Sequence, residues 1–347
     1  MDIKTAIRQL MEHQDISTIQ MAGLMREIMS GQCTDAQIAA FLVALQIKGV
    51  SSAELLGAAR VMRELVLPVV VSASPHLIET CGTGGSGSNT FNISTAAALV
   101  ASCAGAQVAK HGNRGASSKS GSADVLEAAG VNLAISPQQV ARCIETIGVG
   151  FMFARTHHTA MKHVGGPRGE IGVRTIFNLL GPLTNPASAP NQVLGVYTPD
   201  LIELMLPVLK ELGSRHVLMV CSADGLDEIS LSAPTRVGEL IDGQFKFYTV
   251  TPADFGIEQR NGFAMLQVSS PAESLTLLKQ ALDYSNQAAG DIVALNAGAA
   301  IYTAGLAVDL AAGVSKAQRV LRSGAALLKL QELVDYTSAL DQKTYIA

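Results

Sequence analysis

Along the first seventy residues apolar side chains recur three and four positions apart, the spacing of one helix face. Ile19, Leu24, Met25 and Ile28 lead to Gly31; Thr34 and Asp35 can cap a helix over 37–48 that closes at Gly49; Ser51 and Ser52 precede another over 54–65. This predicts a small all-helical unit, residues 1–72. Residues 66–75, with two prolines and a valine run, mark the crossing into a second domain, 73–347.

Beyond that crossing the period changes. Short apolar runs at 77–81, 107–110, 150–153, 192–197 and 216–222 read as strands, and 94–104, 122–129, 137–147 and 199–212 as helices between them. Strands alternating with helices predict an α/β fold: a mostly parallel sheet flanked by helices, with ligands beyond the carboxyl ends of the strands. After Glu228 the chain reads as a hairpin over 236–250 and helices over 273–333.

Composition narrows the class. With 48% apolar and 16% charged residues the chain buries enough surface to fold, and with no Trp, 6 Tyr and 9 Phe its interior is expected to be aliphatic. The mean hydropathy of +0.29 raises the question of a membrane. The longest uncharged stretch, 81–109, is broken by Gly, Asn, Ser, Thr and Gln, and 292–313 contains Asn296 and Asp309, so neither reads as a spanning helix. The opening residues carry no apolar signal region, and five scattered cysteines without a C-x-x-C pair fit reduced thiols, so a cytoplasmic protein is expected. A formal charge of −4 argues against nucleic-acid coating.

Two loops carry the chemistry. Residues 82–87 (GTGGSG) follow a strand and lead into a helix, where backbone N–H groups and the helix dipole can hold a polyanion. A dinucleotide site would need an acid about twenty residues on, yet no Asp or Glu lies between Glu79 and Asp124, and Gly87 is followed by Ser88-Asn89 where a P-loop has Lys and Ser/Thr. Residues 89–95 (NTFNIST) then place two amides and three hydroxyls around a helix start, more than capping uses. The second loop, 110–122 (KHGNRGASSKSGS), packs three cations among glycines and hydroxyls in a net-acidic chain, a pattern suited to a polyphosphate. Adjacent parallel strands would bring the two loops together.

Residues 82–95 (GTGGSGSNTFNIST), 110–124 (KHGNRGASSKSGSAD) and 168–186 (RGEIGVRTIFNLLGPLTNP), in this order and spacing, resemble the anthranilate phosphoribosyltransferase family. That resemblance implies transfer of the phosphoribosyl group of phosphoribosyl pyrophosphate to anthranilate, in tryptophan biosynthesis, with release of pyrophosphate. It implies a homodimer, and a helical domain to which residues near 168–190 also contribute. It implies that Gly82, Gly85, Ser86, Thr90, Asn92, Ile93, Ser94, Thr95, Lys110, His111, Gly112, Asn113, Arg114, Gly115, Ala116, Ser117, Ser118 and Ser122 surround phosphoribosyl pyrophosphate. Gly82, Asn113 and Arg168 would receive anthranilate, with His111, His158 and Gly181 lining its path, and Ser94, Asp227 and Glu228 match the family's Mg²⁺ positions. Three departures stand out: Ser86 replaces the family's usual Asp, Glu79-Thr80-Cys81 is atypical, and Gly165-Gly166-Pro167 with Gly169 loosens the usual basic stretch around Arg168.

The chemistry agrees with such a site. Pyrophosphate leaves readily once its charge is neutralised, and an aniline nitrogen is already neutral at pH 7, so no general base is required. Asp227-Glu228 is an acid pair in a loop after a strand, either solvated or holding a hard cation. Arg168 suits a carboxylate through its two-pronged donor face, or else pairs Glu170. His157, His158 and His163 lack zinc-site spacing, so pocket lining or packing is expected of them. The alternatives are a pyrimidine nucleoside phosphorylase, which has no need of a carboxylate-facing Arg168, a non-catalytic phosphoribosyl pyrophosphate-binding relative and, last, a dinucleotide oxidoreductase.

Overall fold

The computed structural model describes residues 1–115 and 118–342; Ala116 and Ser117 of the second loop lie outside the described residues. Four helices open the chain: α1 (Ile3–Met11), α2 (Thr18–Met29), α3 (Asp35–Lys48) and α4 (Ser52–Leu65). Ser17, Thr34 and Ser51 each close a capping box, with Gln20, Gln37 and Glu54. Glu54 is also buried, accepting from Ile16 N at 2.9 Å and Lys48 Nζ at 2.8 Å, and so ties α4 to α3 and to the segment before α2. Ile19 departs from expectation. It is 86% exposed, because it lies two residues before the buried Met21 and about 200° round the helix from it.

Residues 66–76 cross to the sheet and are pinned on the way: Leu67 N donates to His157 O and Val69 N to Pro186 O. Then follow β1 (Leu77–Gly82), α5 (Ile93–Cys103), β2 (Gln107–Gly112), α6 (Ser122–Ala128), α7 (Pro137–Ile147) and β3 (Val149–Phe153). Three helices, α8 (Ala154–His157), α9 (Lys162–Ile171) and α10 (Phe177–Leu180), intervene before β4 (Asn191–Gly195), α11 (Asp200–Glu211) and β5 (His216–Ser222). The hairpin β6 (Thr235–Ile241) and β7 (Gln244–Val250) and helices α12 (Pro271–Leu282), α13 (Gln287–Thr303), α14 (Leu310–Arg322) and α15 (Ala325–Gln342) complete the chain. The last helical stretch thus runs nine residues past the 333 expected from sequence.

The sheet has the order β3-β2-β1-β4-β5-β6-β7; β1 to β5 are mutually parallel where they pair, and β6 and β7 are antiparallel. From β1 the chain winds outward through β2 and β3, then restarts at β4 on the other side. The switch point therefore lies between β1 and β4, where a crevice opens at the strands' carboxyl ends. One core, with α5, α7 and α12 to α15, covers one face of the sheet. The other joins the N-terminal helices, residues 164–183 and α11 to the opposite face; α9 packs on α2 and α3, and α10 on α4. Small residues let helices approach closely in the first core: a Cβ on Gly298 of α13 would come 2.5 Å from the Cα of Val314 of α14.

Candidate active site

The crevice beyond β1 and β2 holds a polar cavity of about 330 Å³, bounded by residues 81–94, 110–115 and 120–122, with Ser118, Asn178, Asp227 and Glu228. Gly84, Gly85 and Gly87 adopt φ of 66°, 83° and 71°, a region that disfavours side chains, and a Cβ on Gly84 or Gly87 would meet open space. Exposed backbone and the start of α5, eleven residues long, therefore face the cavity. The second loop folds back on α6: a Cβ on Gly112 would overlap Ser122 Oγ, and Asp124 accepts from Gly115 N and Gly121 N at 2.9 Å each.

The loop's cations are deployed differently from the sequence expectation. Lys110 is buried, donating to Thr80 O at 2.7 Å and Ser94 Oγ at 3.2 Å. Arg114 is bound to Asp124 at 3.0 Å and Glu127 at 2.7 Å. Lys119 alone of the three is exposed without an ion pair among the described residues. Nor is every amide spare: Asn92 accepts from Ser120 Oγ at 2.9 Å and Ser274 Oγ at 2.7 Å, tying both loops to α12. Ile93 is buried, Thr90 and Ser118 border the cavity, and the buried Thr95 Oγ1 has no hydrogen-bond partner among the described residues. Below the loop Glu79 is buried, accepts from Gln192 Nε2 at 2.8 Å, and is pushed up to about 7 by burial.

Asp227 and Glu228 border the same cavity rather than standing as a solvated pair. Burial raises both carboxyls, Glu228 to about 8 with the neighbouring Asp227 adding to the effect; the Ser86 hydroxyl lowers Asp227, and the Ser94 N–H lowers Glu228. The placement of Asp227 depends on two glycines. A Cβ on Gly195 would overlap the Asp227 carbonyl oxygen, and one on Gly82 would come 3.0 Å from Asp227 Oδ2. Neither acid forms an ion pair among the described residues. Two crowded carboxylates, with Ser94 bordering the same cavity, are a hard oxygen set that a divalent cation would relieve, and their number suits Mg²⁺, which keeps waters and shares substrate phosphates. No group of three or more His, Cys, Asp or Glu side chains suited to a metal occurs among the described residues.

Beside this polar cavity lies a more apolar one of about 200 Å³, lined by Met62, Met161, Phe177, Leu180, Gly181 and Thr184 together with Arg155, Arg168, His111, His158 and Asn113. Arg168 lies 5.1 Å from the Phe177 ring centroid and forms no ion pair among the described residues, so the Glu170 pairing is not made. His111 and His158 stand 5.0 Å apart, centroid to centroid. Burial holds them neutral, His111 down to about 3 and His158 to about 4. Among the described residues neither His158 ring nitrogen has a hydrogen-bond partner, nor has His111 Nε2. His157 instead contacts Leu67 O at 2.9 Å, and His163 packs against Gly31. His111 and Asn113 line both cavities.

Several site residues escape sequence reasoning. Gly195 is an ordinary strand glycine in QVLGVY until Asp227 is seen against it. Arg174 reaches the glycine loop, with Nη1 3.4 Å from Gly85 O and the guanidinium 4.4 Å from the Tyr197 ring centroid. Asn178, Arg155 and Met62 are likewise brought in only by the fold.

Comparison with known proteins supplies names for similar chains. Residues 4–66 match the glycosyl transferase family helical bundle domain and 74–327 the glycosyl transferase family a/b domain. Anthranilate phosphoribosyltransferase of Hahella chejuensis is 55% identical over 347 residues, 99% of this chain and all of that protein. The enzyme of Thioalkalivibrio sulfidiphilus is also 55% identical, over 98% of this chain and all of its own. Among solved structures, anthranilate phosphoribosyltransferase of Thermus thermophilus superposes with a TM-score of 0.89 at 41% identity, covering 96% of this chain and 99% of that one. The Saccharomyces cerevisiae enzyme in complex with phosphoribosyl pyrophosphate and Mg gives 0.86 at 26% identity, covering 97% and 98%.

Proposed function

The chain belongs to the anthranilate phosphoribosyltransferases of the glycosyl transferase family, and from that premise we propose how its two cavities carry out the transfer. The reaction moves the phosphoribosyl group of phosphoribosyl pyrophosphate to the amine of anthranilate and releases pyrophosphate. The polar cavity receives phosphoribosyl pyrophosphate: Gly82, Gly85, Ser86, Thr90 and residues 92–95 at the start of α5 hold its phosphates by backbone and hydroxyl, and residues 110–115 with Ser118 and Ser122 close the other side. The apolar cavity receives anthranilate, its carboxylate on Arg168 and its ring between Phe177, Gly181 and the two histidines. Neutral His111 and His158 leave the amine uncharged and its lone pair free to attack.

One observation carries the reading: His111 and Asn113 belong to both cavities, so an amine in one faces an anomeric carbon in the other. Mg²⁺ is the cofactor, held by Ser94, Asp227 and Glu228, and it neutralises pyrophosphate as a Lewis acid. Positioning and electrostatics then supply the rate, and no side chain takes a proton in the transition state. The 55% identity to anthranilate phosphoribosyltransferases over the full chain replaces the nucleoside phosphorylase, the non-catalytic relative and the oxidoreductase.

Anthranilate fluorescence tests the assignment. Purified protein with Mg²⁺ and phosphoribosyl pyrophosphate consumes it; no consumption above buffer across a wide substrate range would reject the reading. Two further properties belong to the proposal. The protein works in the cytoplasm, in keeping with five free cysteines and the absence, among the described residues, of a helix long and apolar enough to cross a membrane. It acts as a homodimer, paired through the helical unit where Met11, Ile19 and Ile47 are exposed. Light scattering on the wild type and on Ile47→Glu tests this, with a monomeric wild type contradicting it.

A further inference from the structure

One guanidinium at the cleft has no part in the roles given above. Arg174 lies in the turn between α9 and α10, across the switch point from the glycine loop. It stacks on Tyr197, just past the end of β4, and its one hydrogen bond among the described residues is the long 3.4 Å contact from Nη1 to Gly85 O. Stacking fixes the plane of the fork without using its donors, so Nε and Nη2 remain available. Gly85 contributes its carbonyl to this contact from a backbone with φ of 83°. Of the other cations, Lys110 is held beneath the loop, Arg114 by two carboxylates and Arg168 over Phe177, while Lys119 is exposed without an ion pair among the described residues.

We propose that Arg174 is a leaving-group residue: in the substrate complex its guanidinium turns from the Gly85 carbonyl to the pyrophosphate seated on the glycine loop. This rests on the active-site reading above. As the amine nitrogen bonds to the anomeric carbon, the C–O bond to pyrophosphate breaks, its electron pair passes to the departing oxygen and the amine proton goes to solvent. Charge therefore grows on the group that Arg174 faces, and a fork of donors there stabilises it. Arg174 also sits six residues after Arg168 and three before Phe177, so the contact links the pyrophosphate to the wall of the aromatic cavity.

The test measures pyrophosphate binding by calorimetry, with and without Mg²⁺ and without anthranilate, alongside both KM values and kcat. Arg174→Met keeps an apolar stem on Tyr197 and removes the charge; Arg174→Lys keeps the charge and loses the fork. Because Arg174 is exposed, both variants are expected to keep the wild-type thermal midpoint. Arg174→Met should weaken pyrophosphate and raise the KM for phosphoribosyl pyrophosphate roughly ten- to a hundredfold, with Lys recovering part of the loss. The anthranilate KM should move less than about twofold. Unchanged pyrophosphate binding in Arg174→Met, or equal losses for both substrates, overturns the proposal. Wild-type turnover of anthranilate decides the active-site reading separately, since pyrophosphate binding does not require it.

Discussion

The two cavities share His111 and Asn113 yet are built in opposite ways. The polar one presents exposed backbone at glycines, a helix start and two acids held in place by neighbouring glycines, while Lys110 and Arg114 are turned to internal partners. The apolar one is made of side chains, with Arg168, Phe177, Met161 and Met62 projecting from the helical side. A backbone-built site tolerates few changes at its glycines, because a Cβ either overlaps main chain, as at Gly195, or strains a positive φ, as at Gly84 and Gly87. A side-chain-built site loses one interaction at a time.

The largest effect should therefore come from a methyl group. Gly195→Ala drives a Cβ into the Asp227 carbonyl and displaces the acid loop, and a misplacement of that kind costs on the order of a hundredfold or more in kcat/KM for phosphoribosyl pyrophosphate. Anthranilate affinity, measured by fluorescence titration, should survive if the two cavities are separately built. Arg168→Ala is the counterpart. It should raise the anthranilate KM roughly ten- to a hundredfold and leave the other substrate nearly unchanged. Equal loss on both substrates in both variants would erase the distinction.

What could be read in advance follows the same division. The glycine loop was legible because its requirement is local: a strand, positive-φ turns and a helix start within a dozen residues. Gly195 was not, because its constraint comes from Asp227, thirty-two residues on, packed against it across the crevice. The ion pairs of Arg114 were not legible either, since its partners, Asp124 and Glu127, come back only when the loop folds. Ile19 fits an apolar count but not the phase set by Met21, Leu24 and Ile28. The alternation of strands and helices predicted the parallel sheet, whereas strand order, and with it the switch point that gathers Gly85, Arg174 and Tyr197, is a property of packing alone.

The cavities should also differ in sign when pH is varied. On the polar side Glu228 is raised from 4.5 to about 8 and Glu79 from 4.5 to about 7, chiefly by burial. Between those values the native state keeps protons that the unfolded chain has released, so stability is present at low pH and is lost as pH rises through about 8. On the apolar side His111 and His158 fall from 6.5 to about 3 and about 4, again by burial. There the unfolded chain binds protons first, so stability is complete above about 6.5 and declines as pH falls. Thermal midpoints of metal-free protein should thus drop at both ends. Glu228→Gln should flatten the alkaline limb by a few degrees and His158→Asn the acid limb; a crossed result, each variant changing the other limb, would contradict the assignment.

The smallest expected effect concerns Ser86, the glycine-loop residue that the family resemblance marks as a departure from Asp. Its hydroxyl lies 3.1 Å from Ser88 Oγ and favours the ionised form of Asp227, the carboxyl that burial pushes the other way. Ser86→Asp would set a third carboxylate beside Asp227 and Glu228 and against a polyanionic substrate. Like charges at this range raise one another's proton affinity and repel phosphate, but the cavity is open to water and a cation can screen the pair. The KM for phosphoribosyl pyrophosphate should then rise about three- to tenfold at low Mg²⁺ and return towards the wild-type value in excess Mg²⁺. Anthranilate, bound across the cavity by side chains, should be indifferent throughout. A KM that rises equally at all Mg²⁺ concentrations would instead mean that residue 86 acts by shaping the glycine loop, and the contrast between a backbone-built cleft and its charges would need redrawing.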